Sequence, residues 1–304
     1  MTSRTTLSPV QTLDILGVAD ADRPEALALL EVPVGPGVER VLAHLAARLG
    51  SSDDSNPELG TAEVPVTEMD WLAAMMRFTP DILAWHAGRG IPEAVSHATM
   101  ADFGRNMSIN RRVHNRFGMD TYKWLNHAFS GRIYQLGRLQ YLIHQPAAQI
   151  PGVADGEWIL GIHIPEGGGF GEAAVAESLA LASGFFAEYF ADRPVRTANC
   201  ESWLLDPYLA AHIDAGSNIA KFAALFTPYG APRDEPTDAV YFTFRTRSME
   251  NLSELPRATA LQRIVLERID AGGAWQLGFG SLVLPGQASG RPARHGEKAP
   301  SVLR

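Results

Sequence analysis

The chain has one cysteine, Cys200, in 304 residues, which excludes an intramolecular disulfide and a cysteine-rich zinc site. It has no run approaching the ~20 apolar residues that span a bilayer. Its start, Met1-Thr2-Ser3-Arg4, leads into none of the apolar stretch of a secretory signal. It lacks an excess of positive charge: 26 Lys and Arg stand against 34 Asp and Glu, a net charge of −8. The clustered cations that displace counterions from nucleic acid are therefore missing overall. Its nine histidines include no His-x-x-x-His pair, so metal catalysis has no support in the pattern. These absences give the expectation of a cytoplasmic protein with neither nucleic acid nor membrane as partner.

What the chain does have is 46% apolar residues, enough for one large core or two modest ones. They follow two periods. Up to about residue 125 the spacing is helical. Val38, Val41, Leu42, Leu45 and Leu49 make one stripe, and Thr67 and Asp70 have capping-box spacing ahead of Trp71, Leu72, Met75 and Phe78. Pro80 and Pro92 stand where helices can start, and a further helix is expected from Asp120 through Phe129, ended by Gly131. Strands are then expected over residues 133–143, 158–164, 195–200, 239–244 and 275–284. Between them, helices are expected from Glu172, with Val175, Leu179, Ala182, Phe186 and Phe190 inward, over 206–213, over 218–226, and from Thr259 to Ile269. Residues 51–60 and 229–238 read as polar loops and 287–304 as a disordered tail. The expected fold class is α/β (α+β): a helical N-terminal domain over residues 1–125, then a mixed β-sheet flanked by helices over 126–286.

The segment richest in chemical information is 166–171 (EGGGFG), between an apolar strand and an amphipathic helix. Glycines at such a junction let the backbone approach a ligand and leave N–H groups free at a helix N-terminus, where the dipole favours an anion such as a pyrophosphate. A flexible connection that needs glycine only for its bend is the plainer alternative. No Lys-Ser or Lys-Thr follows, which excludes a Walker A loop. No acidic residue closes a second dinucleotide-fold strand about 20 residues on.

The spacing resembles the cofactor turn of GNAT-superfamily acyltransferases, Arg/Gln-x-x-Gly-x-Gly/Ala. Here the slots read Glu166-x-x-Gly169-x-Gly171; both glycines match, and Glu166 puts a negative charge where the superfamily has a cation or an amide. Four further segments occur in order: 131–141 (GRIYQLGRLQY), 162–167 (IHIPEG), 202–207 (SWLLDP) and 217–222 (SNIAKF). Together they resemble a bacterial family that joins an N-acyltransferase N-terminal domain to a GNAT-like C-terminal domain. In that family a Cys-His pair often precedes the Ser-Trp-Leu-Leu run; here it is Cys200-Glu201.

The resemblance implies an N-acyltransferase that moves an acyl group from acetyl-CoA or another acyl-CoA to a small-molecule amine by direct attack, without a metal. An acyl group presented by a carrier protein is an alternative donor, and a GNAT-shaped binding or structural protein with a decayed cofactor site is the rival reading. The backbone of Gly168, Gly169, Phe170 and Gly171 would hold the pyrophosphate. The segment from Arg105 to Arg138 carries Arg105, Arg111, Arg112, Arg116, Lys123, Arg132 and Arg138 against Asp120. Arg132 and Arg138 would balance the phosphates and offset Glu166, unless the segment is a solvated helix face paired elsewhere. Base candidates are His163, at the strand end, and Glu201. Leu225 stands in the slot where many GNAT enzymes place a proton-donating Tyr. Cys200 has no nucleophile motif around it, and Asp102-Phe103-Gly104 resembles a kinase motif without the rest of its machinery.

Overall fold

In the computed structural model, which describes residues 6–286 apart from 54 and 56, the first part of the chain is built of helices. These are α1 (Pro9–Ile15), α2 (Arg23–Glu31), α3 (Pro36–Arg48), α4 (Glu68–Gly88), α5 (Glu93–Met100), α6 (Asp102–His114) and α7 (Asn126–Phe129). The tail expected over 287–304 lies outside the described residues.

Thr67 caps α4 as its spacing implies: Asp70 N–H donates to Thr67 Oγ1 at 3.2 Å, and the Asp70 carboxylate accepts from Thr67 N–H at 2.8 Å. Thr67→Ala is expected to cost about 1 kcal/mol, read as a lower denaturation midpoint that Thr67→Ser restores. Pro80 does not start a helix but lies inside α4. The cost of an internal proline, about 3 kcal/mol, is outweighed by burial of Trp71, Leu72, Met75, Met76, Phe78 and Ile82 on both sides of it. Residues 120–125 form successive tight turns instead of the expected helix. Side chains tether them to other elements, Thr121 to Asn106 at 2.8 Å and Lys123 to Glu58 at 3.0 Å.

The remaining elements are β1 (Ile133–Leu136), β2 (Leu139–His144), β3 (Trp158–His163), α8 (Glu172–Tyr189), β4 (Val195–Ser202), α9 (Pro207–His212), α10 (Asn218–Ala223), β5 (Thr227–Pro228), β6 (Arg233–Asp234), α11 (Pro236–Phe244), α12 (Ala260–Asp270) and β7 (Gln276–Val283). The strand expected over 133–143 is a hairpin, because Gly137 at φ +63° turns the chain and pairs Leu136 with Leu139. The strand expected over 239–244 is helix α11. Pro236 at its first turn and Asp238 after it are helix-start signals. Its β-forming side chains are accommodated because Ala239, Val240 and Tyr241 are buried, the first two within a core around Trp203 and Trp275.

The sheet runs in the order β1-β2-β3-β4-β7-β5, with β6 beside β7; β3 and β4 are parallel and the other pairs antiparallel. Alternation gives its two faces different chemistry. Leu139, Tyr141, Ile143, Leu160, Ile162, Ala198 and Cys200 form an apolar core with Val175, Leu179, Ala182 and Phe186 of α8. The opposite face presents Gln140, His144, His163, Asn199 and Glu201, while its Ile133 and Leu142 join the core of the helical part. The functional site forms where helices meet that polar face.

Candidate functional site

The pairing of β3 with β4 runs from Trp158–Val195 to Gly161–Asn199 and then stops, although both strands continue with their outer neighbours. A parallel pair that parts at its carboxyl ends leaves a crevice there, the usual ligand position in open sheets of this kind. A cavity of about 580 Å³ occupies it, within the range of small-molecule sites. Its walls include Asp102, Arg105, Asn106 and Ile109 of α6, residues 162–168 at the end of β3 and after it, Glu201–Leu204 at the end of β4 and after it, Asp238, Tyr241 and Phe242 of α11, and Arg245 and Arg247 beyond it.

The glycine turn forms one rim. Gly167 and Gly168 have φ of +88° and +71°, a backbone only glycine adopts without strain. Added methyl groups at Gly167, Gly169 and Gly171 would meet nothing within 4 Å. Among the described residues, the N–H groups of residues 167–171 donate to no protein group, and no side chain caps α8. Two contacts fix the turn. Arg138 donates to Gly169 O at 2.9 Å and Pro165 O at 3.0 Å. The Phe170 ring packs on Phe222 at 4.7 Å. Arg138 and Gly168 line the cavity, and Gly169, Phe170 and Gly171 continue the turn into α8.

His163 and Glu201 both line the cavity, each two residues past the last β3–β4 pair. The His163 ring meets Trp124 edge-on at 4.5 Å. Burial, helped by His127 and His144, pushes its imidazole down to about 3, so it is neutral at physiological pH. Glu201 is exposed to the cavity. Cys200, one residue before it, faces the core; burial pushes its thiol up to about 12 and leaves it protonated and inert.

Most of the basic segment is paired within the fold. Arg105 holds Asp102, Arg111 holds Asp22 and Glu25, Arg116 holds Glu68, and Lys123 holds Glu58. Arg132 does not reach the glycine turn. It is 2% exposed, donates to Asp53 O at 3.1 Å, and lines a separate small cavity with Arg48. Glu166, the mismatch in the turn, is bridged instead by Arg112 and by Arg245, the latter at 3.2 Å.

Sequence reasoning missed Asp238, in a segment read as loop, Tyr241, in one read as strand, and Arg245 and Arg247, just beyond that strand, and it set Asp102 aside. Asp102 is buried at the cavity wall, and burial raises its carboxyl above the usual range against the pull of Arg105. A signal for α11 existed in Pro236 and Asp238. No metal-binding group of three or more His, Cys, Asp or Glu occurs among the described residues, and no helix among them is long and apolar enough to cross a membrane.

Two family profiles match the chain: an N-acyltransferase N-terminal domain over residues 10–131 and a GNAT-like C-terminal domain over residues 133–282. No curated protein matches. Several solved structures are similar over nearly the full length. A mutant acyltransferase in complex with octanoyl-CoA has a TM-score of 0.80 and 27% identity, covering 94% of this chain and 91% of that one. An acyltransferase in complex with decanoyl-CoA has a TM-score of 0.79 and 29% identity, covering 91% and 88%. An acyltransferase in complex with CoA and 10C-teicoplanin has a TM-score of 0.78 and 28% identity, covering 93% and 89%.

Proposed function

Because the chain belongs to the family that joins an N-acyltransferase N-terminal domain to a GNAT-like C-terminal domain, we propose that it transfers a medium-length acyl group from acyl-CoA to a small-molecule amine. The two parts act as two domains that meet at the cavity, with the division near the start of β1. The donor's diphosphate is held by N–H groups of Gly168, Gly169, Phe170 and Gly171, and its thioester enters the crevice between β3 and β4. The support is strongest at the turn, where among the described residues those N–H groups donate to no protein acceptor and nothing packs where side chains would stand at Gly169 and Gly171. The acyl chain length follows the octanoyl- and decanoyl-CoA held by similar acyltransferases, and a small-molecule acceptor follows those in complex with teicoplanin compounds.

Glu201 is the group we assign as base. A carboxylate in the cavity attracts the ammonium form of the acceptor and takes its proton. The amine nitrogen then attacks the thioester carbon, the C–S bond breaks, the nitrogen releases its second proton to water, and the amide and the thiolate of CoA separate. A thiol has an ordinary pKa of about 8.5, so the thiolate leaves without a dedicated acid and takes its proton from water. This fits Leu225, which carries no proton and is 44% exposed. His163, held neutral by burial, carries no charge to attract an ammonium, and we assign it to positioning the reacting groups.

The test is release of free thiol from decanoyl-CoA with a panel of small amines, amino sugars included. Amine-dependent release with a matching mass increase of the acceptor is expected. Absence of release with every acyl-CoA and amine, from protein that binds the donor, would count against catalysis and for a GNAT-shaped binding protein.

A further inference from the structure

Glu166 stands in the first slot of the cofactor turn with the wrong charge for that slot, and its contacts give it a different role. One carboxylate oxygen takes Arg112 of α6, and the other takes Arg245, which follows α11. Among the described residues, Glu166 is the carboxylate partner of both arginines, whereas Arg105, Arg111, Arg116 and Arg247 hold other acids and Arg138 holds backbone carbonyls. Two guanidiniums brought to one point from separate elements repel unless an anion lies between them.

We propose that Arg112 and Arg245 form a phosphate-binding pair for the donor, and that Glu166 fills it as an internal anion until a phosphate displaces it. The proposal rests on the acyl-CoA reading of the cavity. Three features fit an exchange. Arg112 is 55% and Glu166 29% exposed, and an ion pair open to water is weak, so a multiply charged phosphate outcompetes one carboxylate. Gly167 and Gly168, directly after Glu166, have nothing packed where side chains would stand except the Arg138 stem, 3.8 Å away, so the carboxylate can swing aside. Arg245 is already positioned: it adopts a left-handed backbone, φ +57°, its N–H donates to Tyr241 O at 2.8 Å, and its guanidinium lies 5.6 Å from the ring centres of Tyr241 and Phe242. A non-glycine residue held in that backbone costs energy that is commonly spent at ligand sites.

Calorimetric titration of the full chain with decanoyl-CoA, and separately with inorganic pyrophosphate, tests this. Glu166→Gln is expected to bind both about fivefold tighter than wild type, and Arg112→Gln and Arg245→Gln each about tenfold weaker. The double variant Glu166→Gln/Arg112→Gln should regain no more than wild-type affinity. Wild type that binds decanoyl-CoA while Glu166→Gln binds it equally or more weakly, with an unchanged melting temperature, would overturn the proposal alone. No decanoyl-CoA binding by any of the proteins would remove the acyl-CoA reading and this proposal with it.

Discussion

Glu201→Gln is expected to slow acyl transfer by about 10²–10⁴-fold while donor affinity stays within about twofold. Gln keeps the size of Glu201 and its hydrogen-bonding capacity but accepts no proton. The residue sits at the parting of β3 and β4, and the diphosphate would be held by the N–H groups of the glycine turn, so the loss should fall on kcat and not on donor binding. Glu201→His keeps a proton acceptor in the slot where the resembling family often has His, and should retain most of the activity. His163→Gln should cost far less than Glu201→Gln, since an imidazole already held at about 3 contributes little as a base. Steady-state kinetics on the three variants decides the assignment, and a larger loss at His163 than at Glu201 would reverse it.

Acid should destabilise the protein strongly, and His86 should account for much of the loss. The residue is fully buried in α4, its ring 5.7 Å from Trp85 and 5.4 Å from Tyr134. Neither ring nitrogen has a hydrogen-bond partner among the described residues. Burial pushes its imidazole down to about 4. The folded value thus lies below the unfolded value, near 6.5, and between them the unfolded chain binds a proton that the folded chain refuses. The stability tied to His86 is therefore complete above about pH 6.5 and is lost as pH falls toward 4, about 3 kcal/mol in all. His163 and His44, both depressed chiefly by burial, add in the same direction. Urea denaturation at a series of pH values should show this slope in the wild type and a flatter one in His86→Phe. Equal slopes would show that His86 takes up its proton alike in the folded and unfolded chain and would refute the assignment.

Much of the fold is legible because its signals are local. The Thr67–Asp70 cap, the inward face of α8 and the glycine turn each follow from residues within a few positions of one another. Errors arose where distant packing overrode a local preference. Pro80 stays inside α4 because the helix is buried on both sides, and 239–244 is helical because Ala239, Val240 and Phe244 pack into a core around Trp203 and Trp275. The site divides the same way. His163, Glu201, Gly168 and Arg138 line one cavity, as strand ends and a turn imply. The charge that offsets Glu166 was not readable from the turn, because Arg112 is 54 residues before it in the chain and Arg245 lies far after it. Arg132 shows the converse: proximity in sequence to the hairpin did not bring it to the site, since its side chain points into the helical part.

The central claim is that the open turn and the crevice beside it bind acyl-CoA, and the melting temperature with and without decanoyl-CoA tests it most directly. At about 1 mM donor, the wild type should melt several degrees higher by ordinary ligand linkage. Gly168→Val, which forces a side chain onto the turn's left-handed backbone, should lose that rise. A melting temperature that no acyl-CoA moves at this concentration would contradict the account.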